Sequence, residues 1–334
     1  MLRLLTTLFM TASLLIAVQS HARTLRISTL YPDGTSIVNG LKSASDEIEQ
    51  RTDGRVSLRI FPGGVMGDDG AVLRKIKIGQ LHGALAQAGA FARSYKDNQI
   101  LNLPIAFRSY NEVDHVRAEL DPVIRQGMKD NGWIMFGPVD GGFAYLMSDE
   151  PIDTVAAMRQ QKLWLPADDS GSAKAAKVFG VSPIMLSIGT VLTSLQTGAI
   201  DAFAAPPVAA LTLQWHSRVD YMTDVPLLYT YGMLAISNKY FNKLSAADQQ
   251  VVSEVLSETF TELDRASRED NIAAYEAIQN QGLSLVQPSA EELKEWRSYA
   301  DKATSQLVKE GEISQAMLDH LQRLLDEVRS QTAP

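Results

Sequence analysis

Between Ser245 and Gln281 the chain runs without a single proline or glycine, and the first glycine beyond is Gly282. Within that stretch Val252, Val255, Leu256, Phe260 and Leu263 recur at helical spacing and make one apolar stripe. At 1.5 Å per residue one helix over this stretch reaches ~55 Å. A domain of ~150 residues does not need a helix of that length. The helix must either bend or run across two domains, and the rest of the chain has to be read against that choice.

The N-terminal part alternates element types. Leu25, Ile27 and Thr29 share one face of a short strand, and Tyr31-Pro32-Asp33-Gly34 turns the chain. Ile37, Leu41, Ala44 and Ile48 then repeat at helical spacing, and Thr52-Asp53-Gly54 ends that helix. Val56, Leu58 and Ile60 alternate as a second strand, Val72, Leu73 and Ile76 mark a short helix stopped at Gly79, and Leu81 to Ala86 reads as a third strand. The order β-α-β-α-β implies a parallel sheet with right-handed crossovers. A helix carrying Val113, Val116, Leu120, Ile124 and Met128 follows, then strands near Trp133–Phe136 and Phe143–Met147. A second α/β run begins at Lys162, with helices over 172–179 and 190–197 and a strand over 200–204. Two amphipathic helices, about 290–310 and 314–330, close the chain. No repeat, low-complexity tract or Pro/Ser-rich linker appears, so two domains would be joined by crossing strands.

Residues 1–22 read as a secretory leader. Arg3 supplies a short positive start, Leu4 to Val18 is uncharged and mostly apolar, and Ser20-His21-Ala22 puts small residues where a signal peptidase reads. The expected location is therefore the periplasm of a Gram-negative cell, with no direct membrane insertion. There is no cysteine, which excludes lipid anchoring through a leader cysteine, disulfides and thiolate chemistry. The formal net charge of −8 argues against nucleic acid as a partner, because phosphate backbones reward a basic surface.

An enzyme would need residues that are not here. His82, His115, His216 and His320 show neither His-x-x-x-His nor His-Glu-x-x-His spacing, so no helical metal site is supported. Gly-x-Ser-x-Gly is absent, and no Gly-Lys-Ser/Thr follows Gly63, Gly64 and Gly67. His216, beside Gln214 and Trp215, is the histidine hardest to dismiss. No cofactor and no metal is expected.

Several segments resemble the DctP-type solute receptors of TRAP (tripartite, ATP-independent, periplasmic) transporters. They are Arg51-Thr-Asp-Gly-Arg-Val-Ser-Leu58, Phe61-Pro-Gly-Gly-Val-Met-Gly67, Leu103-Pro-Ile-Ala-Phe-Arg108 and Thr193-Ser-Leu-Gln-Thr-Gly-Ala-Ile-Asp201, in that order. The resemblance implies an α/β, two-domain periplasmic binding protein with a hinged central cleft and a long helix spanning both domains. It implies residues 23–141 plus 232–270 as the first domain and 142–231 plus 271–334 as the second. It also implies a small organic solute as ligand and the membrane subunits of a TRAP permease as partner. A receptor feeding a sensor shares every feature named here.

The ligand site departs from the family pattern. Members resembling this chain carry Lys, apolar, Arg, apolar, Pro on one strand, and that Arg clamps a carboxylate. Here the strand reads Lys162-Leu163-Trp164-Leu165-Pro166. An Arg fork binds a carboxylate through two hydrogen bonds and stays charged, and Trp does neither. The resemblance also aligns Ala144 with a second basic position, Ala205 with an Asn, Thr190 with a Glu, and Leu227 with a position often held by His. A site so depleted favours a less acidic, aromatic or apolar ligand. Trp164 is then either a stacking platform or a packed core residue. Asp168 and Asp169 are either helix caps or acceptors for a hydroxyl or cation, in which case Trp164 would add a cation–π contact. An organic acid clamped by other residues is the remaining alternative.

Overall fold

The computed structural model describes residues 22–167 and 169–332. All but the last residue of the expected leader, and Asp168, lie outside the described residues.

The first lobe is built as the alternation requires. Strand β1 (Arg23–Thr29) lies between β2 (Val56–Phe61) and β3 (Gly83–Gln87), parallel to both. Helix α1 (Ser36–Arg51) buries Ile37, Val38, Leu41, Ala44 and Ile48 beneath them, and Thr35 caps it by accepting the Val38 N–H. It ends where Asp53 and Gly54 take positive φ. Helix α2 (Asp69–Lys77) starts on an Asp68 cap, and α3 (Tyr110–Asp130) on a Ser109 cap.

Strand β4 (Trp133–Ser148) is a single 16-residue strand where the sequence reading has two. Gly137-Pro138 and Gly141-Gly142 do not end it. They sit at two register shifts, between Phe136 and Val139 and between Asp140 and Gly142, so the strand bends and continues. It pairs with β9 as far as Ala144 and with β7 from Tyr145 onward, and so passes from one sheet to the other.

The second lobe holds β5 (Leu163–Pro166), α4 (Ser170–Val178), β6 (Ile184–Leu186), α5 (Val191–Gln196), β7 (Ala202–Ala205), α6 (Pro207–Thr212) and β8 (Tyr221–Thr223). Strand β9 (Leu228–Ser237) returns to the first lobe, where it lies antiparallel between β3 and β4. The strand order is β2-β1-β3-β9-β4-β7-β5-β6.

The long helix α7 (Ala246–Asn280) has 35 residues. Val252, Val255, Leu256, Phe260 and Leu263 enter the first lobe's core, and Ile278 enters the second lobe's. Between them its buried positions are Ser267, Asn271 and Ala274. The apolar stripe is thus interrupted where the helix leaves one core for the other. Strand β10 (Ser284–Val286) pairs with β8, and α8 (Ala290–Lys309) packs Trp296, Ala300 and Ala303 on the second lobe. The last helix, α9 (Gln315–Thr332), differs from the expected partition of residues 271–334. Its Met317, Leu318, Leu321, Leu324 and Leu325 fill the first lobe's core against α3, so apolar packing returns the chain end to that lobe.

A buried polar cluster ties these crossing elements together. Arg117 of α3 grips Asp264 of α7 with two hydrogen bonds of 3.0 Å and donates to Asp121 at 3.1 Å. The Tyr229 hydroxyl donates to Asp140 at 2.9 Å, and the Asp140 backbone N–H donates to Asp264 at 2.6 Å. Arg268 reaches Asp140 and Asp114 and lies 4.5 Å from the Tyr110 ring centre. Burial disfavours the Arg117 charge, but the surrounding oxygens outweigh it and hold the guanidinium above its usual range. Burial pushes the Asp140 and Asp121 carboxyls up.

Candidate functional site

In open α/β sheets the ligand crevice lies beyond the carboxyl ends of the parallel strands. Here those ends come from β1 and β3 in the first lobe and from β5 and β6, with the parallel neighbour β7, in the second. Register fixes which side chains share a face there. Met147, Phe203, Trp164 and Ile184 form one row across β4, β7, β5 and β6. Tyr145, Ala205, Pro166 and Leu186 form the next row, nearer the strand ends of β5 to β7. Side chains alternate along a strand, so Ala144 projects to the opposite face from Tyr145.

Trp164 is 3% exposed. Its ring meets Trp215 edge-on, with centroids 5.1 Å apart, and Trp215 meets Phe203 likewise at 5.3 Å. Its indole N–H donates to the Leu186 carbonyl at 3.0 Å. The ring and its polar handle are therefore both occupied by protein. Ala205 is buried in the same cluster. Thr190 is exposed, and its hydroxyl donates to the Ser187 carbonyl. Leu227 packs on the other face, and its N–H donates to the Ala144 carbonyl. Asp169 caps α4 by accepting the Ser172 N–H at 2.9 Å. Trp164 and Ala205 are thus brought together, while Ala144 and Leu227 meet behind the sheet. The His216 ring nitrogen Nδ1 is engaged with the Ala210 carbonyl at 3.1 Å.

Sequence reasoning passed over Tyr145, which shares the Trp164 face and stands one residue from Ala144. Strand parity is the signal that would have separated the two. Tyr145 is half-buried, packs on Tyr275 with ring centres 5.1 Å apart, and its hydroxyl makes no hydrogen bond among the described residues. Burial and the nearby Asp224 push its phenol up to about 12. Across the crevice, Tyr31 follows β1 and Gln87 ends β3, with Gln87 Nε2 3.4 Å from the Tyr31 hydroxyl. Burial, then Asp69 and Asp140, raise the Tyr31 phenol to about 12 as well. Both phenols therefore remain neutral donors at ordinary pH.

The strand ends and the turns after them are residues 29–34, 61–68, 87–91, 142–145, 163–167, 184–190, 203–207 and 228–232. None of these segments contains Lys or Arg. Among the described residues no group of three or more His, Asp or Glu could hold a metal ion, and no helix is long and apolar enough to cross a membrane.

Two lobes joined by crossing strands and one spanning helix, with uncharged donors at the facing strand ends, define a solute receptor of the periplasmic binding type. The sequence profile of the DctP family, bacterial extracellular solute-binding protein family 7, matches residues 27–310, and the chain belongs to that family. It is a receptor and not an enzyme. Members are periplasmic receptors that work with the membrane subunits of TRAP permeases. The sialic acid-binding periplasmic protein SiaP of Vibrio cholerae is 22% identical over 279 residues, spanning 82% of this chain and 86% of SiaP. The sugar acid-binding protein DctPAm of Advenella mimigardefordensis, solved with galactonate, superposes with a TM-score of 0.82 at 17% identity, covering 92% of this chain and 99% of that one. A TRAP receptor of Desulfovibrio salexigens with bound orotic acid gives 0.81 at 17% identity, covering 91% and 99%.

Proposed function

We propose that this receptor, exported by its leader at residues 1–22, captures a solute that does not dock a carboxylate on the second lobe. It then delivers that solute to a TRAP-type permease. One observation carries the reading: the strand ends on both sides of the crevice hold no Lys or Arg, and the family resemblance puts Trp164 where the clamp would be. An unpaired carboxylate in a closed crevice is costly, so a ligand lacking one is favoured there. Trp164 shapes the wall from behind by packing on Trp215. Tyr145 and Leu186 present the surface, aromatic and apolar with one free hydroxyl. Tyr31 and Gln87 add neutral donors from the first lobe.

The relatives named above bind acids, which makes the contrast testable. Calorimetry with succinate, malate, galactonate and orotate should show no binding tighter than about millimolar. Mass spectrometry of solute that co-purifies from a periplasmic extract should find a molecule without a free carboxylate. Micromolar affinity for any of the four acids overturns the reading.

A further inference from the structure

We infer that the solute is an organic cation, an amine or a quaternary ammonium, whose positive group rests on the Tyr145 and Tyr275 rings with the Asp224 carboxylate behind them. The class of solute rests on the acid-free reading above.

Three elements bring the group together. Strand β4 supplies Tyr145, the residue after β8 is Asp224, and α7 supplies Tyr275. Strands β4 and β8 are antiparallel with Met147 opposite Met222, and a step of two along each leads to Tyr145 and Asp224. A step of two keeps a side chain on the same face, here the face of Met147, Phe203 and Trp164. Tyr275 completes the corner. Its ring meets that of Tyr145 at 52° with centres 5.1 Å apart, and its hydroxyl donates to Asp224 Oδ1 at 2.6 Å. Gln287 Nε2 lies 3.5 Å from Asp224 Oδ2. Tyr145, Asp224 and Tyr275 are all half-buried.

The chemistry of this corner favours positive charge. An aromatic ring is negative over its face, and two tilted rings offer such a surface to one cation. A phenol that donates to a carboxylate becomes richer in electrons, so Asp224 strengthens the Tyr275 ring as a partner. The two groups that hydrogen-bond Asp224, Tyr275 and Gln287, are neutral, so they orient its charge without cancelling it.

The phenols feel a field of one sign. Burial, then Asp224, raises Tyr145, and burial, then the hydrogen bond to Asp224, raises Tyr275. Across the crevice, burial, then Asp69 and Asp140, raises Tyr31. Among the described residues no Lys or Arg acts on any of these three phenols. Arg268, on the same helix as Tyr275, is already shared between Asp114 and Asp140. A cation therefore meets negative potential from both walls, while the surface it touches is made of uncharged rings.

Choline and the neutral alcohol in which carbon replaces its nitrogen share a shape and differ in charge. Calorimetry should show choline binding tighter by about tenfold or more. Equal affinity, a preference for the alcohol, or no binding of choline overturns the cation site and leaves the acid-free reading standing. Micromolar binding of succinate or galactonate overturns both. Asp224→Asn keeps an acceptor for the Tyr275 hydroxyl and removes the charge. It should lower the ratio of choline affinity to alcohol affinity by about fivefold. An unchanged ratio, with both affinities reduced together, overturns the role of the Asp224 charge, because a carboxylate that only positions the ring would act on the two alike.

Discussion

Two regions a short distance apart along β4 treat charge in opposite ways. Around Asp140 the protein gathers buried Arg117 with half-buried Asp121, Asp264 and Arg268 in one bonded cluster. From Tyr145 onward, the face that meets the crevice contains Tyr145, Ala205, Pro166 and Leu186, with the Trp164–Trp215–Phe203 group behind it. Charge here serves to hold segments of chain against each other, and the recognition surface we propose does without it. The same type of residue, an arginine, has been kept for the joint and omitted from the wall.

The contrast predicts where substitutions hurt. Arg117→Met should have the largest effect, because it takes from Asp264 and Asp121 the guanidinium that pairs them. About 4 kcal/mol of stability should be lost, the scale for breaking a buried pair. Urea melts would read it, and a loss under about 1 kcal/mol would make the cluster ornamental. Trp164→Phe keeps an aromatic ring but removes the donor to Leu186. It should cost about 1–2 kcal/mol in the same melts. If it lowers ligand affinity while leaving stability untouched, Trp164 belongs to the recognition surface after all.

Smaller effects sharpen the comparison further. Asp121 has a carboxyl held above its ordinary value by burial, so its folded state binds a proton more readily than its unfolded state. Its contribution is fully present below the unfolded value and is lost as pH rises through the raised one. Asp121→Asn cannot lose it, so the variant should gain on the unsubstituted protein as pH rises through that window. Melts at stepped pH showing a constant difference would exclude the effect. Tyr145→Phe should change stability by less than about 0.5 kcal/mol, because its hydroxyl bonds none of the described residues. It should still weaken binding of the co-purified solute, which competition calorimetry would measure.

Much of the scaffold was legible because it follows local rules. The stripe from Val252 to Leu263 and the missing glycines led to one long helix, and α7 spans both lobes. The α1 stripe read just as directly. Strand β4 was harder, since Gly137-Pro138 and Gly141-Gly142 carry the signature of loops and here act as bends within a strand. Strand β9 gave little signal because Tyr231 to Ile236 are buried on both faces and do not alternate. The wall was legible in composition but not in orientation. Sequence identifies Trp164, yet its partner Trp215 lies far along the chain, and only register separates Ala144 from Tyr145. The cluster was invisible for the same reason. Asp140, Asp264 and Arg117 look like any surface charges until topology brings them together.

The route of the last helix carries a consequence for synthesis. The first lobe's core contains Val113, Val116 and Leu120 from α3 and Leu318, Leu321 and Leu325 from α9. A chain made N-terminus first therefore delivers the α9 part of its first core only after the segments of the second lobe. The second lobe can assemble while the first still exposes the apolar side of α3. A chain stopped before Gln315 should keep binding a hydrophobic dye long after the full-length protein has ceased to.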